Sequence, residues 1–159
     1  MWWSDRRSAI VGLLALAGCG FTPVYAPGST ASALRGQVQI TAPETVEGYR
    51  LLQALRDRLG DSASPAYDLR VTLNISELAA ATTAQGNTTR YTLPGTATYS
   101  LTTLAGAPLA QGSVDIFTSY SATGTTVATS AAQTDARARL AEILADQIVT
   151  RLSVAPLTP

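Results

Sequence analysis

Between Leu69 and Thr102 the chain twice alternates apolar with small polar side chains, and this period of two narrows its fold more than any other feature. Leu69, Val71, Leu73 and Ile75 alternate with Arg70, Thr72, Asn74 and Ser76. Further on, Tyr91, Leu93, Ala97, Tyr99 and Leu101 alternate with Thr92, Thr96, Thr98, Ser100 and Thr102. Successive side chains of a strand point to opposite faces, so both stretches need a sheet with one apolar and one hydroxyl-lined face. Pro94-Gly95 interrupts the second stretch, which predicts a bulge or an edge position there.

The segments around these strands supply cover for the apolar face. Val38-Gln39-Ile40 reads as a short strand closed by Pro43. Val46 to Leu59 carries Leu51, Leu52, Leu55 and Leu59 at helical spacing, with Thr45 as N-cap and Gly60 as the stop. Asp61 to Pro65 is a turn, Gln85-Gly86-Asn87 is the centre of a loop, and Gly106-Ala107-Pro108 is a further turn. A strand from about Ala110 to Tyr120 contains Val114, Ile116 and Phe117. Ser121 to Thr129 is read as a loop, and Ser130 to Gln133 has the form of a capping box. The helix behind it carries Ala136, Leu140, Ile143, Leu144, Ile148 and Leu152 on one stripe, pairs Asp135 with Arg139 at a spacing of four, and ends at Pro156. Strands joined by short loops pair antiparallel. The expected fold is therefore an α+β two-layer sandwich, two helices on one face of a four-stranded, mainly antiparallel sheet, in the order β-α-β-β-β-α.

The N-terminus has a separate logic. Arg6 and Arg7 precede the apolar run from Ala9 to Leu16, which is shorter than the roughly 20 residues a bilayer-spanning helix needs. Small residues then lead to a cysteine in Leu16-Ala17-Gly18-Cys19, a lipobox. Residues 1–18 are thus expected to be a lipoprotein signal, and Cys19 the lipidated first residue of the mature chain. Two or more acyl chains would anchor it stably. Similarity to enterobacterial lipoproteins, in which Asp after the cysteine retains the protein in the inner membrane, implies outer-membrane delivery, because Gly20 stands there. Residues 19–36, rich in Pro, Gly, Ser, Thr and Ala, are expected to form a tether, residues 37–155 one domain, and residues 156–159 a short tail.

Composition argues against catalysis. There is no histidine among the 159 residues, and the single cysteine is taken by the anchor. No phosphate loop or calcium-loop spacing occurs, and no base stands ready to activate a Ser or Thr, so no catalytic residue, cofactor or metal is expected. With 11 basic and 11 acidic residues the chain has no net charge, which argues against general nucleic-acid binding. Binding remains. Arg90 beside Tyr91 could present a guanidinium fork and an aromatic to a phosphate on a lipid or sugar, or could be a solvated hairpin residue. Arg70 falls on the polar sheet face, where it could pair across strands with Asp115. Together with Thr72, Asn74, Thr96 and Thr98 it forms a face that is either merely wet or a neutral docking surface.

The segment Cys19-Gly20-Phe21-Thr22-Pro23-Val24-Tyr25 closely resembles the mature start of the lipopolysaccharide-assembly lipoprotein family LptE, in its alphaproteobacterial form. The element order of the remainder is also similar. The resemblance implies a non-catalytic plug inside the outer-membrane barrel LptD, supporting the assembly of that barrel and delivery of lipopolysaccharide. It also implies two helices on one face of a four-stranded sheet, and lipopolysaccharide contact by basic residues at hairpin tips. Here Arg90 is the only basic residue around the first tip, with Tyr91 next to it. Two other classes share the layout: an auxiliary lipoprotein of a lipid-transport ABC system, and a structural or cell-wall-binding lipoprotein. Replacing Cys19 with Ser is expected to abolish palmitate incorporation in metabolic labelling; a labelled variant would remove the anchor assignment.

Overall fold

The computed structural model describes residues 28–156, so the signal segment, the lipobox Leu16, Ala17, Gly18 and Cys19, and the first half of the expected tether lie outside the described residues. The elements in order are α1 (Thr30–Leu34), β1 (Val38–Thr41), α2 (Val46–Leu59), β2 (Tyr67–Ile75), β3 (Leu78–Thr82), β4 (Thr88–Thr103), β5 (Pro108–Ser121) and α3 (Thr126–Val154). The architecture is α+β with helices packed on one face of a mixed sheet, as expected, but the described residues form five strands and three helices rather than four and two.

The additional strand is a continuation rather than a new position in the sheet. β2 and β3 both pair antiparallel with β4, Ile75 lying opposite Gly95 and Leu78 opposite Thr92, so β3 extends the line of β2 past a break at Ser76-Glu77. β5 pairs with the other edge of β4, and β1 pairs parallel with β2, the crossover being α2. β3 escapes a pattern reading because all five of its side chains are exposed and nothing alternates. Its hairpin with β4 turns at the expected Gln85-Gly86-Asn87, where Gly86 has a φ of 85° and its N–H donates to the Thr83 carbonyl at 2.9 Å.

Pro94 proves to be neither at a bulge nor at an edge. β4 is central, and its pairing with β5 runs in register through Pro94↔Phe117 and Gly95↔Ile116. The Pro94 carbonyl accepts from Ser76 N at 3.0 Å, on the side where β2 stops. A strand residue directs its carbonyl and its amide to the same side, so the N–H that proline lacks would have met the break between β2 and β3.

Two helix boundaries also differ from expectation. α3 begins at Thr126, with Thr125 as N-cap accepting from Ala128 N at 3.2 Å, so Ser130 and Gln133 are interior residues and the expected capping box does not form. The first turn is solvent-exposed, Val127 at 80%, and thus carries no apolar period to reveal it. α1 falls inside the segment expected as tether. Ser29 caps it, Ala31 and Leu34 are buried, and Thr30 Oγ1 donates to the Ala155 carbonyl at 3.0 Å. α2 is capped as expected, Thr45 Oγ1 accepting from Gly48 N at 3.0 Å. It stops at Gly60, whose φ of 82° suits glycine.

The core lies between this helical layer and the inner face of the sheet. Leu51 and Leu55 of α2, Leu140, Leu144, Ile148 and Leu152 of α3, and Leu69, Leu93, Ala97 and Leu101 of the sheet are buried. Ile143, expected on the buried stripe, is instead partly exposed. Gly95 lets α3 come close to the sheet: a Cβ there would stand 2.8 Å from Leu140 Cδ2. Gly95→Ala should therefore lower stability by about 1–3 kcal/mol through overpacking, and Leu140→Ala by about 2–5 kcal/mol through a cavity. Combining them should cost less than the sum, because the truncation makes room for the added methyl. Urea unfolding of the single and double variants checks this, and strict additivity would contradict the packing.

Candidate functional site

The side of the sheet away from the helices collects the five polar residues singled out from the sequence. Arg70 lies opposite Ser100, Thr72 opposite Thr98 and Asn74 opposite Thr96, while Thr98 and Thr96 in turn face Ser113 and Asp115 of β5. Directly opposed residues share a face, so Arg70, Thr72, Asn74, Thr96 and Thr98 form one continuous surface. Its polar groups are engaged locally. Thr96 Oγ1 donates to Asp115 Oδ1 at 2.6 Å, and Thr72 Oγ1 lies 3.5 Å from the Thr98 carbonyl. Arg70 pairs with Asp68 of its own strand at 2.9 Å rather than with Asp115. Residues two apart on a strand share a face, which makes Asp68 the nearer partner. An ion pair this exposed adds little stability.

Apolar side chains interrupt the far end of this polar face. Phe117 of β5 is 74% exposed and stands opposite Pro94, and Leu78 of β3 is 56% exposed opposite Thr92. The parity of Phe117 with Asp115 and Ser119 places it outward, a signal already present in the alternation. Arg90 is exposed on the same side, opposite Ser121 and Ala81, with no ion pair among the described residues. Tyr91, the next residue along the strand, points the other way and stacks on Tyr120, with ring centroids 5.3 Å apart. Arg90 and Tyr91 therefore do not present a joint guanidinium-aromatic surface.

A polar cluster that the sequence spacing does not reveal joins the sheet to both long helices. Glu77, at the break between β2 and β3, accepts from Tyr120 Oη at 2.8 Å and from Gln133 Nε2 at 2.7 Å, and Arg137 Nη2 reaches it at 3.2 Å. Arg137 Nη1 donates to Glu47 of α2 at 2.9 Å. Burial by itself would raise the Glu77 carboxyl, but the hydrogen bonds from Gln133, Tyr120 and Arg137 hold it below its ordinary value. The hydrogen bond from Arg137 likewise lowers Glu47. Burial, together with the hydrogen bond to Glu77, pushes the Tyr120 hydroxyl up to about 12. A second tie between the helices runs from Arg58 to Asp146, whose hydrogen bond raises the Arg58 guanidinium. No group of three or more metal-ligating side chains occurs among the described residues.

The described fold is a small α+β sandwich with helices on one face of the sheet and an open, mostly polar face on the other. Residues 36–152 match the family described as LptE: Lipopolysaccharide-assembly, and the chain belongs to that family. It is an outer-membrane, lipid-anchored protein. A lipoprotein from Caulobacter crescentus is similar at 25% identity and a TM-score of 0.63, covering 78% of this chain and 92% of that one. Rare lipoprotein B from Shewanella oneidensis shares the fold at 17% identity and a TM-score of 0.56, over 74% and 93% of the two chains. A minor lipoprotein from Acinetobacter baumannii does so at 19% and 0.56, over 77% and 94%. No curated protein matches the chain.

The lowered carboxyls set the pH dependence. Groups with a depressed folded pKa contribute stability that is present above the unfolded value and lost as pH falls through the folded one. Stability should thus decline as pH drops below the ordinary carboxyl value of 4.5. The double variant Glu47→Gln/Glu77→Gln should lose about 1–3 kcal/mol at neutral pH and show a flatter acid limb in urea unfolding. An unchanged acid limb would show that other carboxyls govern it.

Proposed function

We propose that this lipoprotein is anchored through Cys19 and acts as plug and assembly partner of the lipopolysaccharide-translocating barrel LptD, supporting delivery of lipopolysaccharide to the outer leaflet. The observation that carries the reading is the family match over residues 36–152, which spans nearly all of the described domain. The sheet face fits the role chemically. Its central part, built on Arg70, Thr72, Asn74, Thr96 and Thr98, is hydroxyl-rich and nearly neutral, suited to many weak hydrogen bonds with the polar wall of a barrel lumen. Phe117, Pro94 and Leu78 at the far end give the same face an apolar anchor, and anchors of this kind supply most of the affinity of an interface. Covering them would remove the exposed apolar patch that a free monomer carries.

Contact with lipopolysaccharide rests on Arg90 alone in this reading. Its exposed guanidinium can meet a phosphate, while Tyr91 supports the strand from behind through its stack on Tyr120. A detergent pull-down of the tagged, lipidated protein from outer membranes, followed by mass spectrometry, tests the assignment. A stoichiometric large β-barrel translocon is the expected outcome. Inner-membrane transporter subunits, or sedimentation with peptidoglycan, would replace it with one of the other two lipoprotein classes. Arg90→Glu should weaken lipopolysaccharide retention without changing the thermal midpoint, and Phe117→Asp should weaken barrel recovery. Full retention by the Arg90 variant would return that side chain to a solvated hairpin role.

A further inference from the structure

β3 is the only strand without a buried residue among the described residues. From Leu78 to Asn87 every residue is exposed, so this arm lies outside the cover of the helices. β3 pairs only with β4, and the pairing shifts register between Ala79 and Ala81 and again between Ala81 and Thr82. At its base the ladder is thin: Ser76 N donates to the Pro94 carbonyl, and Pro94 has no N–H to return. The next residue, Glu77, carries the remaining tie, to Tyr120 of β5 and to Gln133 and Arg137 of α3.

We propose that Ser76-Glu77 is a hinge and the Glu77 carboxylate its latch: when Tyr120, Gln133 and Arg137 release it, β3 and the loop 83–87 peel from β4 as a unit while the rest of the domain stays folded. Peeling breaks a few exposed backbone hydrogen bonds and uncovers no buried side chain, the mark of a low-stability opening unit. β4 stays in place, because its pairing with β5 continues to Arg90↔Ser121. Opening therefore bares the β4 edge from Thr88 to Thr92, with Arg90 in its middle. The groups that bear on the latch are Arg137 and Gln133 from α3, Tyr120 from β5 with Tyr91 of β4 stacked on it, and Glu47 of α2, which shares Arg137. Protonating Glu77 removes the charge that all three donors address.

Amide hydrogen exchange on the full-length lipidated protein in detergent tests the hinge. In Glu77→Gln the protection of Leu78 to Thr82 should fall by about tenfold or more, since hydrogen bonds to a charged group are lost, while Leu69, Leu101 and Leu144 keep theirs. Acidifying the unaltered protein below 4.5, the ordinary carboxyl value, should produce the same local loss and keeps the test available if the variant does not fold. Glu47→Gln should leave β3 protected, which separates the latch from the neighbouring ion pair. A disulfide between Leu78→Cys and Thr92→Cys should restore protection in the Glu77 variant. The proposal is overturned by unchanged protection, by a loss shared equally with β2 and the helices, or by a β3 already unprotected at neutral pH.

Discussion

The approach of α3 to the inner face of β4 is the constraint on which the other elements depend. Leu140 lies against the backbone of Gly95, and the stripe that continues through Leu144, Ile148 and Leu152 is buried throughout. A Cβ at position 95 would force the Leu140 side chain to shift, so the packing of α3 on β4 is set there. α2 then fills the space beside α3 and carries the crossover from β1 to β2. α1 closes the far end through Leu34 and its bond to Ala155. With the three described helices on one side, no described element covers the opposite sheet face, which suits its threonines and serines.

Two kinds of polar contact divide the labour between the faces. On the open side the hydroxyls satisfy one another or neighbouring carbonyls at the surface, as in Thr96 with Asp115 and Thr72 with Thr98. Such groups can exchange these partners for those of a docked protein at little cost. On the covered side the Glu77 cluster is partly shielded from solvent and every member is bonded, so it sets geometry rather than inviting exchange. The break in the β2–β3 line lies where these regimes meet. The family to which the chain belongs is one of lipopolysaccharide assembly.

Much of the fold was legible from the sequence because burial on one face writes a period into it. The helix from Val46 to Leu59, its caps at Thr45 and Gly60, and the faces of β2 and β4 all follow from spacing. Where burial was absent the signal vanished, as in β3 and the exposed first turn of α3, or was too short to read, as in the five residues of α1. Pro94 misled for another reason: its effect depends on which neighbour faces its missing N–H, and that neighbour is a gap. Of the candidate site, the shared face of Arg70, Thr72, Asn74, Thr96 and Thr98 was readable from parity, whereas the partner of Arg70 and the stack of Tyr91 on Tyr120 were not.

The amino-acid order alone therefore determined the local periods, the caps of α2 and the neutral character of the polar face, since each depends on residues within a few positions of one another. Tertiary structure decided what those periods meet. Glu77 reaches Tyr120, Gln133 and Arg137 across separations of 43, 56 and 60 residues. No short-range pattern encodes such partners. They exist because α3 packs across β4 and β5 beside the point where β2 stops, with Leu140 against Gly95.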